Sequence, residues 1–233
     1  MPTAVVRRLK VGAARDVLVT GGTGYLGRAL VEALIARGHS VRVLSRPESA
    51  TRVPEGAEAV IGDALSAESV RAALRPGDTV VHLVGTPHPG PSKAAEFERV
   101  DLASIKATVA AARVAGILHL VYVSVAQPAP VMKAYVAARV AGEATIAAAG
   151  LRATVLRPWY VLGPGHRWPL LLMPFYAIAS LLPGLRVGAR RLGLVTLDQM
   201  VRALVRAVEL PAPKGISIVD VPMIRQATLD AKP

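Results

Sequence analysis

Short apolar runs alternate with longer segments of helical period along most of the chain. Residues 17–20, 41–45, 59–61, 79–84, 119–125 and 153–156 read as strands. They are rich in Val and Leu and lack strict alternation, as expected of strands covered on both faces. Between them, 25–37, 67–74, 94–115 and 131–149 are helix-length segments. Gly38, Gly116 and Gly150 each follow a helix, where a left-handed cap favours glycine. This β–α alternation with short connections predicts an α/β fold, a three-layer doubly wound parallel sheet.

The rhythm changes after Arg157. Residues 158–195 carry Pro, Gly and apolar clusters, followed by a helix at 197–210 and a strand at 216–221. The expected organisation is a basic leader at 1–15 and a core at 16–157. A small C-terminal lobe at 158–233, continuous with the core, would lie over the carboxyl ends of the strands, where open α/β sheets place their ligands. No internal repeat or low-complexity tract is visible.

Composition narrows the classes. Hydrophobic residues make up 52% and charged residues 19%, which argues against disorder. The absence of cysteine removes disulfides, thiolate nucleophiles and Cys-type zinc sites, and suits a reducing compartment. A net charge of +12 invites a nucleic-acid reading. However, the arginines are scattered, with no dense basic run among aromatics, so nucleic acid is not an expected partner. The leader has basic positions but no continuous apolar core, so it is not a secretory signal. A basic leader could address a mitochondrion, but nothing resembling a cleavage site supports that. A cytoplasmic location is expected.

The most specific motif is Val17-Leu18-Val19-Thr20-Gly21-Gly22-Thr23-Gly24-Tyr25-Leu26-Gly27, which runs from a strand into a helix. Gly21 permits a tight turn, Gly24 lets backbone approach a pyrophosphate, and Gly27 lets helix and strand pack closely. The pyrophosphate would meet free N–H groups at the positive end of the helix dipole. The loop therefore predicts a dinucleotide site using Gly21, Thr23, Gly24, Tyr25 and Leu26. An acidic residue about 20 positions further on would bind adenosine ribose hydroxyls, but the second strand ends in Ser45 and Arg46. Arginine can pair with a 2′-phosphate through its planar fork, which favours NADP over NAD. The alternative leaves Arg46 solvated and gives Glu48 the ribose.

These residues resemble the extended and atypical branch of the short-chain dehydrogenase/reductase superfamily, which includes the NAD-dependent epimerase/dehydratase-related proteins. The loop is similar to that branch's TGGTGxxG signature. Further matches are Gly62-Asp63-Ala64, His82-Leu83-Val84-Gly85-Thr86, Tyr122-Val123-Ser124, and Arg157-Pro158-Trp159-Tyr160-Val161-Leu162-Gly163-Pro164-Gly165. Within the branch the chain resembles NmrA-like proteins and the nucleotide-binding accessory subunit of respiratory complex I. The resemblance implies that Asp63 and Ala64 face adenine and that Val84, Gly85 and Thr86 lie along the cofactor. It also implies that Pro158, Trp159, Tyr160 and Val161 flank the nicotinamide.

Enzymes of the family use a Tyr-x-x-x-Lys pair and a Ser or Thr; residues four apart share one helix face. Here the sequence reads Tyr135-Val136-Ala137-Ala138-Arg139, so arginine stands in place of lysine. The resemblance makes Tyr135 the proton donor or acceptor, Arg139 its electrostatic and ribose partner, and Ser124 an auxiliary hydrogen bonder. Ser124 could instead only cap its strand. Asp101 falls near a position where relatives often have Asn, and no chemistry is assigned to it. His82 and His88 have no accompanying carboxylates, so no metal site is expected.

Residues 168–185 contain no charge but include Pro169, Pro174 and Pro183. Interior prolines cost a helix about 3 kcal/mol each, which argues against a membrane span. A pocket lid is expected, with membrane-surface contact as the alternative, and an apolar substrate fits either. Two functions follow: an NADP(H)-dependent oxidoreductase for an apolar carbonyl, quinone or isoprenoid-like substrate, or a non-catalytic NADP(H)-binding sensor or assembly subunit. A membrane-surface docking protein is a third, weaker reading.

Overall fold

The computed structural model describes residues 14–129, 131–163 and 192–229. Among these residues there are nine strands: β1 (Asp16–Thr20), β2 (Ser40–Ser45), β3 (Glu58–Ile61), β4 (Thr79–His82), β5 (His119–Val123), β6 (Ala153–Leu156), β7 (Tyr160–Leu162), β8 (Leu194–Thr196) and β9 (Ile216–Val219). The helices among the described residues are α1 (Tyr25–Ala36), α2 (Ala67–Ala73), α3 (Ala94–Glu96), α4 (Ala103–Ala115), α5 (Lys133–Ala148), α6 (Leu197–Glu209) and α7 (Val221–Gln226). A π-helical segment, Phe97–Leu102, joins α3 to α4.

Seven strands form one sheet in the order β3-β2-β1-β4-β5-β6-β9, and every neighbouring pair is parallel. The order reverses at β1, between β2 and β4. In doubly wound sheets the crevice beyond the strand ends at that point holds the ligand. Thr20, the last residue of β1, stands opposite His82, the last residue of β4, so the glycine loop begins at this crevice.

The lack of strict alternation now has its cause. Val17 and Val19 of β1 face one layer, where they join Leu30, Val31 and Leu34 of α1 and Met200, Leu204 and Val208 of α6. Leu18 faces the other, with Val70 of α2, Ile105 and Val109 of α4 and Ile146 of α5. With both faces of β1 buried, its central positions Val17, Leu18 and Val19 are all apolar. On α6 the buried Met200, Ala203, Leu204, Ala207 and Val208 recur at the spacing of one helical stripe. Its start is fixed by a reciprocal cap. Thr196 Oγ1 accepts from the Gln199 N–H at 3.1 Å, and Gln199 Oε1 accepts from the Thr196 N–H at 2.9 Å.

Some boundaries differ from the sequence pattern. The 94–115 segment is not one uniform α-helix, because the π turn interrupts it. The strand at 216 ends at Val219, since Asp220 accepts from the Met223 N–H at 3.2 Å and starts α7 there. β9 lies on the edge of the main sheet beside β6, whereas β7 and β8 form a separate two-stranded sheet. The chain after Arg157 therefore supplies both a core edge strand and the small second sheet.

Candidate functional site

The site is built around the loop after β1. Gly21 has φ +77, and a Cβ there would stand 2.9 Å from the Leu83 carbonyl carbon, so a side chain would be both strained and obstructed. A Cβ on Gly27 would overlap the backbone of Gly21 and Gly22, so α1 starts hard against the loop. The Gly24 N–H donates to the Gly21 carbonyl at 3.1 Å. The first turn of α1 contains no acidic residue and no side-chain cap, and Gly24 and Tyr25 are exposed. A helix N-terminus left in this condition suits an anion. Tyr25 reaches Gly163, whose added Cβ would overlap the phenol oxygen, which brings α1 against the end of β7.

At the end of β2, Ser45 is 6% exposed and its Oγ has no hydrogen-bond partner. Arg46 is exposed and its Nε meets Glu48 at 3.1 Å. Both sequence candidates for the ribose thus stand together on the surface. Asp63, also exposed, accepts from the Leu65 N–H at 2.9 Å while its own N–H donates to Ser69 Oγ at 2.8 Å. Ala64 adjoins it, partly buried.

Past β4 the surroundings become buried and charged. Thr86 donates to Asp101 Oδ2 from its N–H at 2.9 Å and from its hydroxyl at 2.6 Å. Asp101 Oδ1 stands 2.7 Å from Nη2 of Arg139, an ion pair rather than an aligned hydrogen bond. Arg139 Nη1 donates to the Val123 carbonyl at 2.9 Å. Its guanidinium carbon lies 5.2 Å from the Tyr135 ring and 5.8 Å from the Tyr122 ring. Burial alone would lower its pKa, but the Tyr135 and Tyr122 phenols and Asp101 more than reverse this, so it is raised and Arg139 stays charged. Its charge faces protein groups on all these sides.

Tyr135 lies one turn before Arg139 on α5, partly buried, with its ring edge-on to Phe97 at 5.1 Å. Ser124 is 2% exposed and its hydroxyl donates to Glu143 Oε1 at 2.5 Å. The same oxygen accepts from Gln127 Nε2 at 2.9 Å and Arg157 Nε at 3.0 Å, and Arg157 Nη2 pairs with Oε2. The Ser124 proton is therefore already engaged. A groove of about 550 Å³ lies beside this cluster, lined by Gln127, Lys133, Val136, Val140 and Arg157 among others.

Sequence reasoning missed the partners of these groups. Asp101, given no chemistry, joins Thr86 to Arg139. Glu143, at position i+4 from Arg139, receives Ser124; the helical spacing was the available signal. His82 is fully buried, with Nδ1 3.0 Å from Thr20 Oγ1 and 3.1 Å from Thr108 Oγ1, and Nε2 3.2 Å from Ser104 Oγ. Ser104 donates to the Asp101 carbonyl at 3.1 Å, so Nε2 carries the proton and Nδ1 accepts. Burial, reinforced by the Arg139 charge, lowers the His82 pKa to about 3. It is a neutral structural residue. Among the described residues no group of three or more His, Asp or Glu could hold a metal ion.

Pro158 accepts the Ala126 N–H at 2.8 Å, and Trp159 stacks edge-on with Tyr160 at 5.5 Å. Tyr160 and Val161 lie in β7, so this turn follows directly from the end of β6. Pro164, Gly165, His166 and the apolar 168–185 segment lie outside the described residues. Among the described residues no helix is long and apolar enough to cross a membrane.

A protein-family model described as NAD(P)H-binding matches residues 21–166. The chain is 31% identical over 176 residues to ceramide reductase of Caulobacter vibrioides, covering 75% of this chain and 55% of that protein. It is 32% identical to 3-diazoavenalumate denitrifying reductase of a Streptomyces species, covering 88% of this chain and 75% of that protein. It thus spans about half the length of the first relative and three quarters of the second. The crystal structure of UDP-N-acetylglucosamine 4-epimerase from Bacillus cereus superposes with a TM-score of 0.65 at 20% identity, over 89% of this chain and 79% of that one. With the family model matching more than half of its length and the glycine loop at the switch point of the sheet, the chain belongs to the NAD(P)H-binding family.

Proposed function

We propose that the chain is an NADP(H)-dependent oxidoreductase acting on an apolar carbonyl, quinone or isoprenoid-like substrate. The observation that carries this reading is a continuous wall of contacts. Gly21 abuts residues 83 and 84, Gly85 abuts Arg139, and Arg139 lies against the Tyr135 ring. The pyrophosphate would lie on Gly21–Leu26, the adenosine between Ser45 and Asp63, and the nicotinamide end along 84–86 and 158–161. When bound, the dinucleotide supplies a hydride. Tyr135 would hand its phenolic proton to the substrate oxygen, with the Arg139 charge beside its ring. Ser124, whose proton already points at Glu143, would accept a hydrogen bond rather than donate one.

The preference for NADP rests on the end of β2. The orphaned Ser45 hydroxyl can receive a ribose or phosphate oxygen. The exposed Arg46–Glu48 pair is worth only ~0–1 kcal/mol, little enough for a phosphate to displace. The apolar substrate class is supported by the charge-free 168–185 segment and by the lipid in the name of the Caulobacter relative.

The test follows NADPH oxidation against a panel of apolar ketones and quinones. Turnover is expected with NADPH and should fall at least a hundredfold in Tyr135→Phe; turnover indifferent to that change contradicts the tyrosine role. A second reading, an NADP(H)-binding sensor or assembly subunit, is favoured by one observation. The Arg139 charge and the Ser124 proton are both engaged by protein carboxylates. Tight NADPH binding with no turnover on any carbonyl selects it.

A further inference from the structure

Asp101 is completely buried, yet it is bonded to two different walls of the cleft. One carboxylate oxygen holds both donors of Thr86, in the segment that follows β4; the other holds Arg139, on the helix that carries Tyr135. The chain is shaped around this arrangement. A Cβ on Gly85 would overlap Arg139 Nη2 and come within 3.2 Å of Asp101 Oδ1, so only glycine lets the guanidinium lie under the loop. The π turn Phe97–Leu102 contains both Asp101 and Phe97, the ring against Tyr135. Widened turns of this kind often mark functional sites inside helices. On its far side Asp101 accepts at its backbone carbonyl from Ser104, which touches His82, which in turn touches Thr20 just before the glycine loop. No other carboxylate makes an ion pair with Arg139 among the described residues.

We infer that Asp101 is a positioning residue, a buried clamp that ties the 84–86 wall of the cleft to the Tyr135 helix through Thr86 and Arg139. The inference rests on the reading of the cleft as a dinucleotide site. In this view arginine at position 139 is matched to the aspartate rather than to the ligand. The pair presents no net charge to the cleft, and its two halves must change together. Isolated replacement of either partner leaves a buried ion unpaired, which proteins tolerate poorly. Replacing both by a hydrogen-bonded neutral pair keeps the bridge: an Asn oxygen can still accept from Thr86 while its NH2 donates to a Gln oxygen at 139.

The experiment compares wild type, Asp101→Asn, the double variant Asp101→Asn/Arg139→Gln, and Thr86→Val. Thermal melting is measured alongside NADPH and NADH affinity, with titrations run well below each variant's melting temperature. Asp101→Asn is expected to melt earlier and bind NADPH at least tenfold more weakly. The double variant should recover affinity to within threefold of wild type. Thr86→Val, which removes one hydroxyl from the clamp, should weaken binding severalfold with little change in melting. This keeps the test open if Asp101→Asn does not fold. Wild-type affinity in folded Asp101→Asn or in Thr86→Val overturns the clamp and leaves a purely structural ion pair. Failure of wild type to bind either dinucleotide instead overturns the underlying reading of the cleft.

Discussion

The two halves of the cleft are built on opposite principles. On the β1–β3 side, the N-terminus of α1 has no acidic residue and no side-chain cap, Ser45 Oγ is unpartnered, and Arg46 and Asp63 lie on the surface. On the β4–β6 side Arg139 and Ser124 are engaged by protein carboxylates, although the Tyr122 hydroxyl and Arg139 Nε have no hydrogen-bond partner. Asp101 holds Arg139 and Thr86, and Glu143 holds Ser124, Gln127 and Arg157. The first half leaves the N–H groups at the start of α1 open to an acceptor; the second ties its charged side chains to one another. A ligand adds bonds at the start of α1 and competes with the exposed Arg46–Glu48 pair. The residues named for chemistry in the second already hold the fold together. Binding a dinucleotide and using it are therefore separable properties of this chain.

That contrast predicts that changes in the first half alter affinity, whereas in the second half the Glu143 network governs stability and only the Asp101–Thr86 clamp, which shapes the cleft wall, reaches the ligand. The largest effect belongs to Gly21→Val, which forces a branched side chain onto φ +77 and against the Leu83 backbone. NADPH affinity should fall at least a hundredfold by fluorescence titration, and retention of wild-type affinity would break the contrast. Glu143→Leu removes the acceptor of Ser124, Gln127 and Arg157. It should cost about 2–3 kcal/mol in urea unfolding while NADPH affinity stays within threefold. A selective loss of affinity there would invert the expected pattern.

Acid sharpens the same distinction. His82 and His119 are buried and neutral, their pKa lowered from 6.5 to about 3 mainly by burial, with Arg139 adding for His82 and Arg152 and Arg15 for His119. Between those two values the unfolded chain binds protons that the folded chain refuses, so stability rises with pH and levels off above 6.5. Each imidazole contributes up to about 1.4 kcal/mol per pH unit in that window. Denaturation midpoints measured from pH 7 to 4 should fall, and His119→Gln, far from the glycine loop, should flatten the fall. An unchanged slope would show that His119 does not stay neutral. The smallest effect is specificity: Arg46→Ala should weaken NADPH about five- to tenfold and NADH less than twofold, measured side by side.

How much the sequence disclosed follows the same division. The strands of the core were legible because both faces are apolar, and the glycine loop because its spacing is dictated by local backbone. Ser45 and Arg46 followed from simple counting along β2. The second half depends on contacts distant in sequence. Asp101 meets Thr86 across fifteen residues and Glu143 meets Ser124 across nineteen. No local pattern announces that a tyrosine's neighbouring charge is neutralised by a carboxylate on another helix. The π turn was equally hidden, since the 94–115 segment has ordinary helical composition. β7 and β8 were missed because each has three residues and its partner lies beyond a long intervening segment.

The central claim is that the open half binds a dinucleotide through its glycine loop, independently of chemistry in the closed half. Titration of NADPH into wild type and Gly21→Val, read by the fluorescence of the bound coenzyme, tests it most directly. Saturable one-site binding by wild type, weaker by at least a hundredfold in Gly21→Val at a temperature where both are folded, is the predicted result. No saturable binding by wild type, or equal binding by the two, would contradict it.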